Sequence, residues 1–99
     1  MTKSKKQIID SIDAFIEIRG GDYEEWYIGI TDNPDRRLFD EHKVDKKCKN
    51  HFYRETSSND IARYIEQYFL ALGCIGGAGG GKKDSVWVYG YLMTSQTKP

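Results

Sequence analysis

The sequence predicts an α+β domain in which a small three-stranded antiparallel sheet packs against three helices. Its 99 residues can form one modest core but not two domains, so we expect a single domain over residues 1–99. Helical and strand-like apolar patterns alternate along the chain. Apolar residues make up 38% and aromatic residues 13% of the sequence, which is more apolar surface than disordered proteins carry.

The first two helices are indicated by apolar residues at helical spacing. One is expected within residues 1–20, with its apolar positions starting after Ser4. The other is expected at residues 34–43, because Asn33 can accept a hydrogen bond as its cap and proline is tolerated at a first helical position. Both helices are amphipathic and should pack one face on the sheet.

The third helix has the clearest pattern of the chain. Ser57 and Asp60 have the spacing of a capping box, and an apolar stripe runs from there to Gly73. Three segments are rich in aromatic and β-branched residues and are therefore expected as strands, at residues 26–31, 51–55 and 86–93. Residues 94–99 are expected to be a frayed, flexible tail.

Charge and cysteine content limit the possible functions. Lys plus Arg and Asp plus Glu both total 15, so the chain lacks the basic excess of typical non-specific DNA-binding proteins. Asp10 and Asp13 interrupt the apolar run that a signal peptide requires, so we expect a cytoplasmic protein that does not interact with membranes. Cys48 and Cys74 are then expected as free thiols.

Three short sequence features together suggest a catalytic site. Residues 27–42 read YIGITDNPDRRLFDEH, so Tyr27 starts a strand motif and Arg37 follows ten residues later on the next helix. Glu66 lies at the border of the buried stripe of the third helix. Together with the short strand FYRE at 52–55, this combination resembles the GIY-YIG nuclease family over about half of the chain.

The resemblance implies hydrolysis of phosphodiester bonds with one divalent metal ion, Mg²⁺ or Mn²⁺. Glu66 would hold the ion, Arg37 would neutralise charge on the phosphoryl oxygens, and Tyr27 would orient or help deprotonate the attacking water. The alternative for Glu66 is an ordinary glutamate at a helix edge that reaches water or pairs with a nearby base.

The sequence departs from the family at its first tyrosine. The position eleven residues before Tyr27, where the family has this tyrosine, is Ile16, on the apolar face of the first helix. One hypothesis is that the C-terminal strand replaces the missing strand, so that Tyr89 or Tyr91 supplies the hydroxyl. That hypothesis requires the replacing hydroxyl to lie near Tyr27 and Glu66.

A second departure concerns the histidine that the family often places four residues after its arginine. Here that position is Glu41, and the histidine is His42. On an α-helical projection His42 lies between Leu38 and Phe39, so both a core-edge role and a catalytic role stay open. Arg37 and Glu41, four residues apart, can also form an ordinary surface ion pair.

Basic residues near the expected site are candidates for nucleic-acid binding, with Phe52 and Tyr53 available for stacking on bases. These candidates are Lys46, Lys47, Lys49, Arg54, Lys82 and Lys83. The alternatives are a solvated lysine loop for the first group and, for the last pair, a flexible glycine-rich connector.

Two other signals are weaker. The loop from Gly76 to Lys82 is close to a phosphate-binding Walker A sequence, but Lys83 replaces the required Ser or Thr, so we do not expect nucleotide binding. Cys48 and His51 have zinc-ligand spacing without two further local ligands. Two functions are expected from these patterns: a nuclease acting on DNA rather than RNA, or a module that has lost catalysis and binds nucleic acid or a protein partner.

Overall fold

A computed structural model describes residues 4–77 and 84–99 of the chain. The elements, in chain order, are α1 (Lys5–Ile18), a 3₁₀ turn (Tyr23–Glu25), β1 (Trp26–Thr31), a π-helical segment (Arg36–Glu41), β2 (His51–Glu55), α2 (Asn59–Leu72) and β3 (Trp87–Leu92). The three strands form an antiparallel sheet. This confirms the predicted α+β class and its three-stranded sheet.

The C-terminal strand β3 lies in the middle of the sheet, whose order is β1-β3-β2. Its register sets Tyr91 opposite Tyr27 and Tyr89 opposite Gly29. On the far side of β1, Ile75 forms a parallel bridge to Tyr27. The segment after α2 therefore covers the outer edge of β1.

The caps of the two long helices follow local sequence rules with one correction. Ser4 and Gln7 form a reciprocal capping box at the start of α1. At α2 the capping residue is Ser58, whose side chain accepts a hydrogen bond from the amide of Ile61 at 3.2 Å. The prediction of Ser57 was wrong by one residue, because it is Ser58 that precedes the first helical residue and has the extended backbone that aims its hydroxyl at the helix.

The second helix has π-helical geometry, whereas the sequence predicted an ordinary α-helix at residues 34–43. The predicted cap is present, since the Asn33 side chain accepts a hydrogen bond from the Arg36 amide at 3.1 Å. The amide of His42, however, bonds to the carbonyl of Arg37 at 2.9 Å, five residues back instead of four. Lys43 then leaves the turn in the left-handed conformation, with φ of 59°. This wider turn changes which side chains share a face.

The two faces of the sheet carry separate cores. Alternate residues of a strand point to opposite faces, and Trp26, Ile28 and Val88 pack with the apolar stripes of α1 and α2. Tyr27, with Tyr89, Tyr91, Leu38 and Val44, forms the second core. Within the described residues, no helix combines the length and apolarity needed to cross a membrane.

The segment at residues 94–99, which the sequence predicted to be a frayed tail, forms a turn and a backbone contact with His42. Thr94 and Thr97 close a short turn, in which the Thr94 amide donates to the Thr97 hydroxyl at 2.9 Å. The amide of Lys98 then donates to the carbonyl of His42 at 2.8 Å. This contact is a backbone hydrogen bond, which leaves no mark in the side-chain pattern.

Candidate active site

Three tyrosines and one histidine meet on the sheet face opposite α1 and α2, and we call Tyr27, His42, Tyr89 and Tyr91 the tyrosine cluster. The ring of Tyr27 stacks on that of Tyr91 with centroids 5.2 Å apart and lies 6.2 Å from that of Tyr89. The His42 ring is 4.7 Å from the Tyr27 ring. The register of β1 and β3 brings the tyrosines together, so both C-terminal tyrosines lie beside Tyr27.

Gly29, the glycine of the YIG motif, makes room for Tyr89. A Cβ atom at position 29 would lie 2.7 Å from the Tyr89 hydroxyl oxygen and 2.8 Å from the adjoining ring carbon. The Tyr89 ring therefore lies across β1 where a larger residue would block it. Gly77 has a similar position over Tyr27, since a Cβ atom there would lie 2.5 Å from the Tyr27 hydroxyl oxygen.

His42 is part of the cluster, in agreement with its expected position at the edge of the core. Its side chain is buried. Its Nε2 atom lies 2.8 Å from the Tyr89 hydroxyl oxygen, and its Nδ1 atom lies 3.0 Å from that of Tyr91. In a π-helical turn, residues five apart share a face. His42 therefore lies over Arg37, although five residues separate the two instead of the four of an α-helix.

Burial favours the neutral forms of His42, Tyr89 and Tyr91. Desolvation lowers the pKa of His42, the nearby Arg37 lowers it further, and the hydrogen bond that the ring donates to the Lys98 carbonyl opposes the change. Desolvation likewise raises the pKa values of Tyr89 and Tyr91 well above the usual range. Tyr89 and Tyr91 are 0% exposed and Tyr27 is 5% exposed. Arg37, with 27% of its side chain exposed, is therefore the group that a ligand can reach.

Arg37 connects the cluster to the surface. Its guanidinium carbon lies 5.9 Å from the centre of the Tyr89 ring, and the group interacts with the Tyr89 hydroxyl. Its Nη1 atom also donates to Glu41 at 2.8 Å, which confirms the expected ion pair. With 27% of the side chain exposed, Arg37 can receive an anion from solvent if that anion competes with Glu41.

Glu66 is a buried carboxylate on α2, 7% exposed. Burial raises its pKa, and Arg63 opposes the change. Across residues 4–77 and 84–99, Glu66 forms no side-chain hydrogen bond and no ion pair. The structure thus brings Arg37 to the tyrosine cluster, whereas Glu66 belongs to α2, whose apolar stripe packs on the opposite face of the sheet.

The predicted nucleic-acid residues divide into three groups. Lys46, Lys47 and Lys49 are exposed on the loop that follows the π-helical segment. Arg54 instead donates to the Ser11 hydroxyl of α1 at 2.9 Å, on the other side of the sheet. Lys82 and Lys83 lie outside the described residues.

The expectation of two stacking aromatics on β2 was wrong for one of them. Phe52 is 3% exposed and belongs to the core under α1, because strand alternation turns it inward. Tyr53 is 41% exposed and packs edge-on against Trp87, with ring centroids 5.6 Å apart. Only Tyr53 of this pair is therefore available to a base.

Neither cysteine is paired with a sulfur or assembled into a metal site. Both Cys48 and Cys74 are free thiols, as expected, and burial raises the pKa of Cys74 to about 12. Within the part of the chain that the structure describes, no three His, Cys, Asp or Glu side chains form a group that could hold a metal ion.

No family model matches this sequence, and no match was found among curated proteins or solved structures. The resemblance to GIY-YIG nucleases consequently rests on the residues named above. It remains a prediction.

Proposed function

We propose that the protein is a metal-dependent endonuclease of the GIY-YIG type that hydrolyses phosphodiester bonds in nucleic acid, DNA in preference to RNA, in the cytoplasm. The observation that carries the proposal is the meeting of Tyr27, Arg37 and His42 at one place on the sheet. A proton acceptor, a phenol and a fixed cation are groups that can serve phosphoryl transfer; Tyr27 and His42 are each 5% exposed, and Arg37 is the group that reaches solvent.

In this proposal Tyr27 acts on the attacking water through a short relay. The Tyr27 hydroxyl interacts with that of Tyr89, which in turn lies 2.8 Å from His42 Nε2. Tyr27 accepts the proton of the water as it passes its own proton to Tyr89, and Tyr89 passes its proton to His42, which becomes a transient imidazolium. The Lys98 carbonyl and Glu41 offset part of the cost of that buried charge. The relay addresses the weakness of a lone phenol as a base, since its usual pKa near 10 leaves it protonated at neutral pH.

Arg37 supplies positive charge where the phosphoryl oxygens become more negative. Its planar guanidinium can bind two oxygens at once, after exchanging Glu41 for the phosphate. The exposed lysines at 46, 47 and 49 would hold the flanking phosphates.

Glu66 can supply one carboxylate ligand to a hard cation. It offers a desolvated carboxylate without a hydrogen bond among the described residues, and Mg²⁺ often binds through one carboxylate while keeping several waters. When bound, such an ion would polarise the phosphate and stabilise the leaving oxygen.

The test is cleavage of labelled single-stranded, duplex and branched DNA and of RNA, with Mg²⁺ or Mn²⁺ and with a chelator. Tyr27→Phe, Arg37→Ala and Glu66→Gln should each reduce cleavage at least a hundredfold, while Glu17→Gln, which changes an exposed carboxylate on α1, should leave it unchanged. Cleavage that persists in Glu66→Gln, or in the chelator, would sink the proposal.

A second function is favoured by the burial of Tyr89 and Tyr91, which are 0% exposed. In this alternative the domain binds nucleic acid or a protein partner without catalysis. It predicts binding that is indifferent to metal in the absence of any cleavage. Steep weakening of that binding with salt would point to phosphate contacts, whereas weak salt dependence would point to a protein partner.

A further inference from the structure

The segment at residues 94–99 contacts the candidate active site. After the turn at Thr94 and Thr97, both backbone groups of Lys98 bond to His42. Its amide donates to the His42 carbonyl at 2.8 Å, and its carbonyl oxygen lies 2.7 Å from His42 Nδ1. The Lys98 side chain itself is exposed, so the contact belongs to the backbone.

This contact determines which nitrogen of His42 carries the proton. A carbonyl oxygen can only accept, so a hydrogen bond of 2.7 Å requires hydrogen on Nδ1. A neutral imidazole then has a free lone pair on Nε2, and the Tyr89 hydroxyl, 2.8 Å away, donates to it. Burial among three tyrosines beside Arg37 disfavours the doubly protonated ring.

Without Lys98 the opposite arrangement becomes available. The Tyr91 hydroxyl lies 3.0 Å from the same Nδ1 atom and can donate to it as well as accept from it. If Tyr91 donates, the ring hydrogen moves to Nε2, which would then point a donor at Tyr89. The two tautomers therefore polarise Tyr89 in opposite directions.

We propose that Lys98 is a positioning residue whose backbone carbonyl holds His42 in the Nδ1–H tautomer, so that Nε2 is the proton acceptor for Tyr89. The segment at 94–98 is then part of the site and not a tail. Its consequence for catalysis rests on the proposed function, whereas the tautomer itself does not.

The test is nitrogen NMR of the histidine ring in ¹⁵N-labelled protein at neutral pH, which distinguishes both tautomers and the imidazolium. The full chain should show His42 with hydrogen on Nδ1 alone. A chain that ends at Ser95, and so lacks Lys98, should shift the ring toward the Nε2–H form. Lys98→Ala keeps the carbonyl and is the matched control, so its His42 should resemble that of the full chain.

Two results would overturn the proposal: hydrogen on Nε2 of His42 in the full chain, or an unchanged Nδ1–H tautomer in a folded chain lacking residues 96–99. The first result is measured on the full chain alone. The proposal can therefore be refuted even if the shortened chain does not fold. Should the full chain cleave nucleic acid, the shortened chain should lose at least tenfold in kcat with little change in KM. An unchanged kcat would remove the positioning role, while inactivity of both chains would count against the nuclease alone.

Discussion

The two faces of the sheet are made from the same strands and bury different chemistry. Toward α1 and α2, the strands present Trp26, Ile28 and Val88, which need only apolar neighbours. Toward the π-helical segment, they present Tyr27 and its companions, whose hydroxyls need partners once water is excluded. The face toward α1 and α2, the apolar face, is thus stabilised by the burial of apolar surface area. The face toward the π-helical segment, the tyrosine face, is stabilised by hydrogen bonds between individual donors and acceptors.

The two faces should respond differently to small changes in their side chains. On the apolar face, loss of a side chain costs free energy in proportion to the cavity left behind. On the tyrosine face, loss of one oxygen atom or gain of one methyl group disturbs a connected set of hydrogen bonds. Variants on each face can measure this contrast.

The largest effect is expected on the apolar face, from Phe69→Ala. Phe69 is 0% exposed in the core between α2 and the sheet, so the change should lower the free energy of unfolding by about 3–5 kcal/mol. The neighbouring Tyr68 is 37% exposed, and Tyr68→Ala should cost much less in the same urea titration. Equal losses in the two variants would contradict the assigned helix face.

Gly29→Ala should damage the tyrosine face through a single methyl group. Because the new Cβ would meet the Tyr89 ring, the ring must move away from His42, at a cost of about 1–3 kcal/mol. The same change in a Tyr89→Ala background should cost far less, since the colliding ring is gone. A double-mutant cycle in urea measures this coupling, and additive costs would mean that the collision is not the cause.

Tyr89→Phe removes only the oxygen that faces His42 Nε2. We expect a loss of about 1–3 kcal/mol, because a buried nitrogen is left without its donor. Tyr53→Phe is the matched control, since that residue is 41% exposed on the same sheet and should change stability by less than about 0.5 kcal/mol. Comparable losses from both variants would argue against the His42 hydrogen bond.

The pH dependence of stability should carry a signature of His42. Its pKa in the folded protein lies below the usual 6.5, so between these two values the unfolded chain binds more protons than the folded one. The free energy of unfolding should therefore fall as the pH drops below about 6.5. The contribution of His42 to this fall should end once the pH is below the pKa of His42 in the folded protein. Urea titrations between pH 4 and 8 should show a flatter profile for His42→Gln, and an identical slope would show that His42 is not the source.

The smallest effect is expected from Glu66→Gln, and it should be a gain. Burial raises the pKa of Glu66, so the ionised carboxylate weakens the folded state as the pH rises from about 4.5 through the folded pKa. The neutral amide should raise Tm at pH 7, by up to roughly 4–8 °C if about 1 kcal/mol is recovered. A lower Tm would instead identify Glu66 as a structural residue with a stabilising partner.

Much of the fold follows from local patterns. Strand alternation predicted β1 at residues 26–31 and β2 at 51–55, as found, and β3 within one residue at each end. The pairing of β3 with β1, which the sequence offered only as a hypothesis, depends on non-local contacts that no periodicity encodes. The caps were predictable to within a residue, since two adjacent serines carry nearly the same signal at α2.

The site was less predictable, and His42 shows why. Its type and its position beside Arg37 are visible in the sequence, but the face it occupies depends on whether the turn is α-helical or π-helical. A one-residue change of helical period moves a side chain by roughly a quarter of a turn. The contact of Lys98 with the His42 ring has no sequence signal at all, because any residue other than proline offers the same backbone groups.

The sequence by itself determined the α+β class, the three strands, the amphipathic helices and the candidate residues Tyr27, Arg37 and Glu66. The class and its elements follow from period and composition, which are properties of neighbouring residues, whereas the three candidate residues come from the resemblance to GIY-YIG nucleases. Only the tertiary structure decided that Tyr89 and Tyr91 lie against Tyr27, that His42 turns inward and that the segment at 94–98 closes over it. Those contacts join residues 47 to 64 positions apart, and their geometry is determined by strand register, helical period and backbone hydrogen bonds acting together.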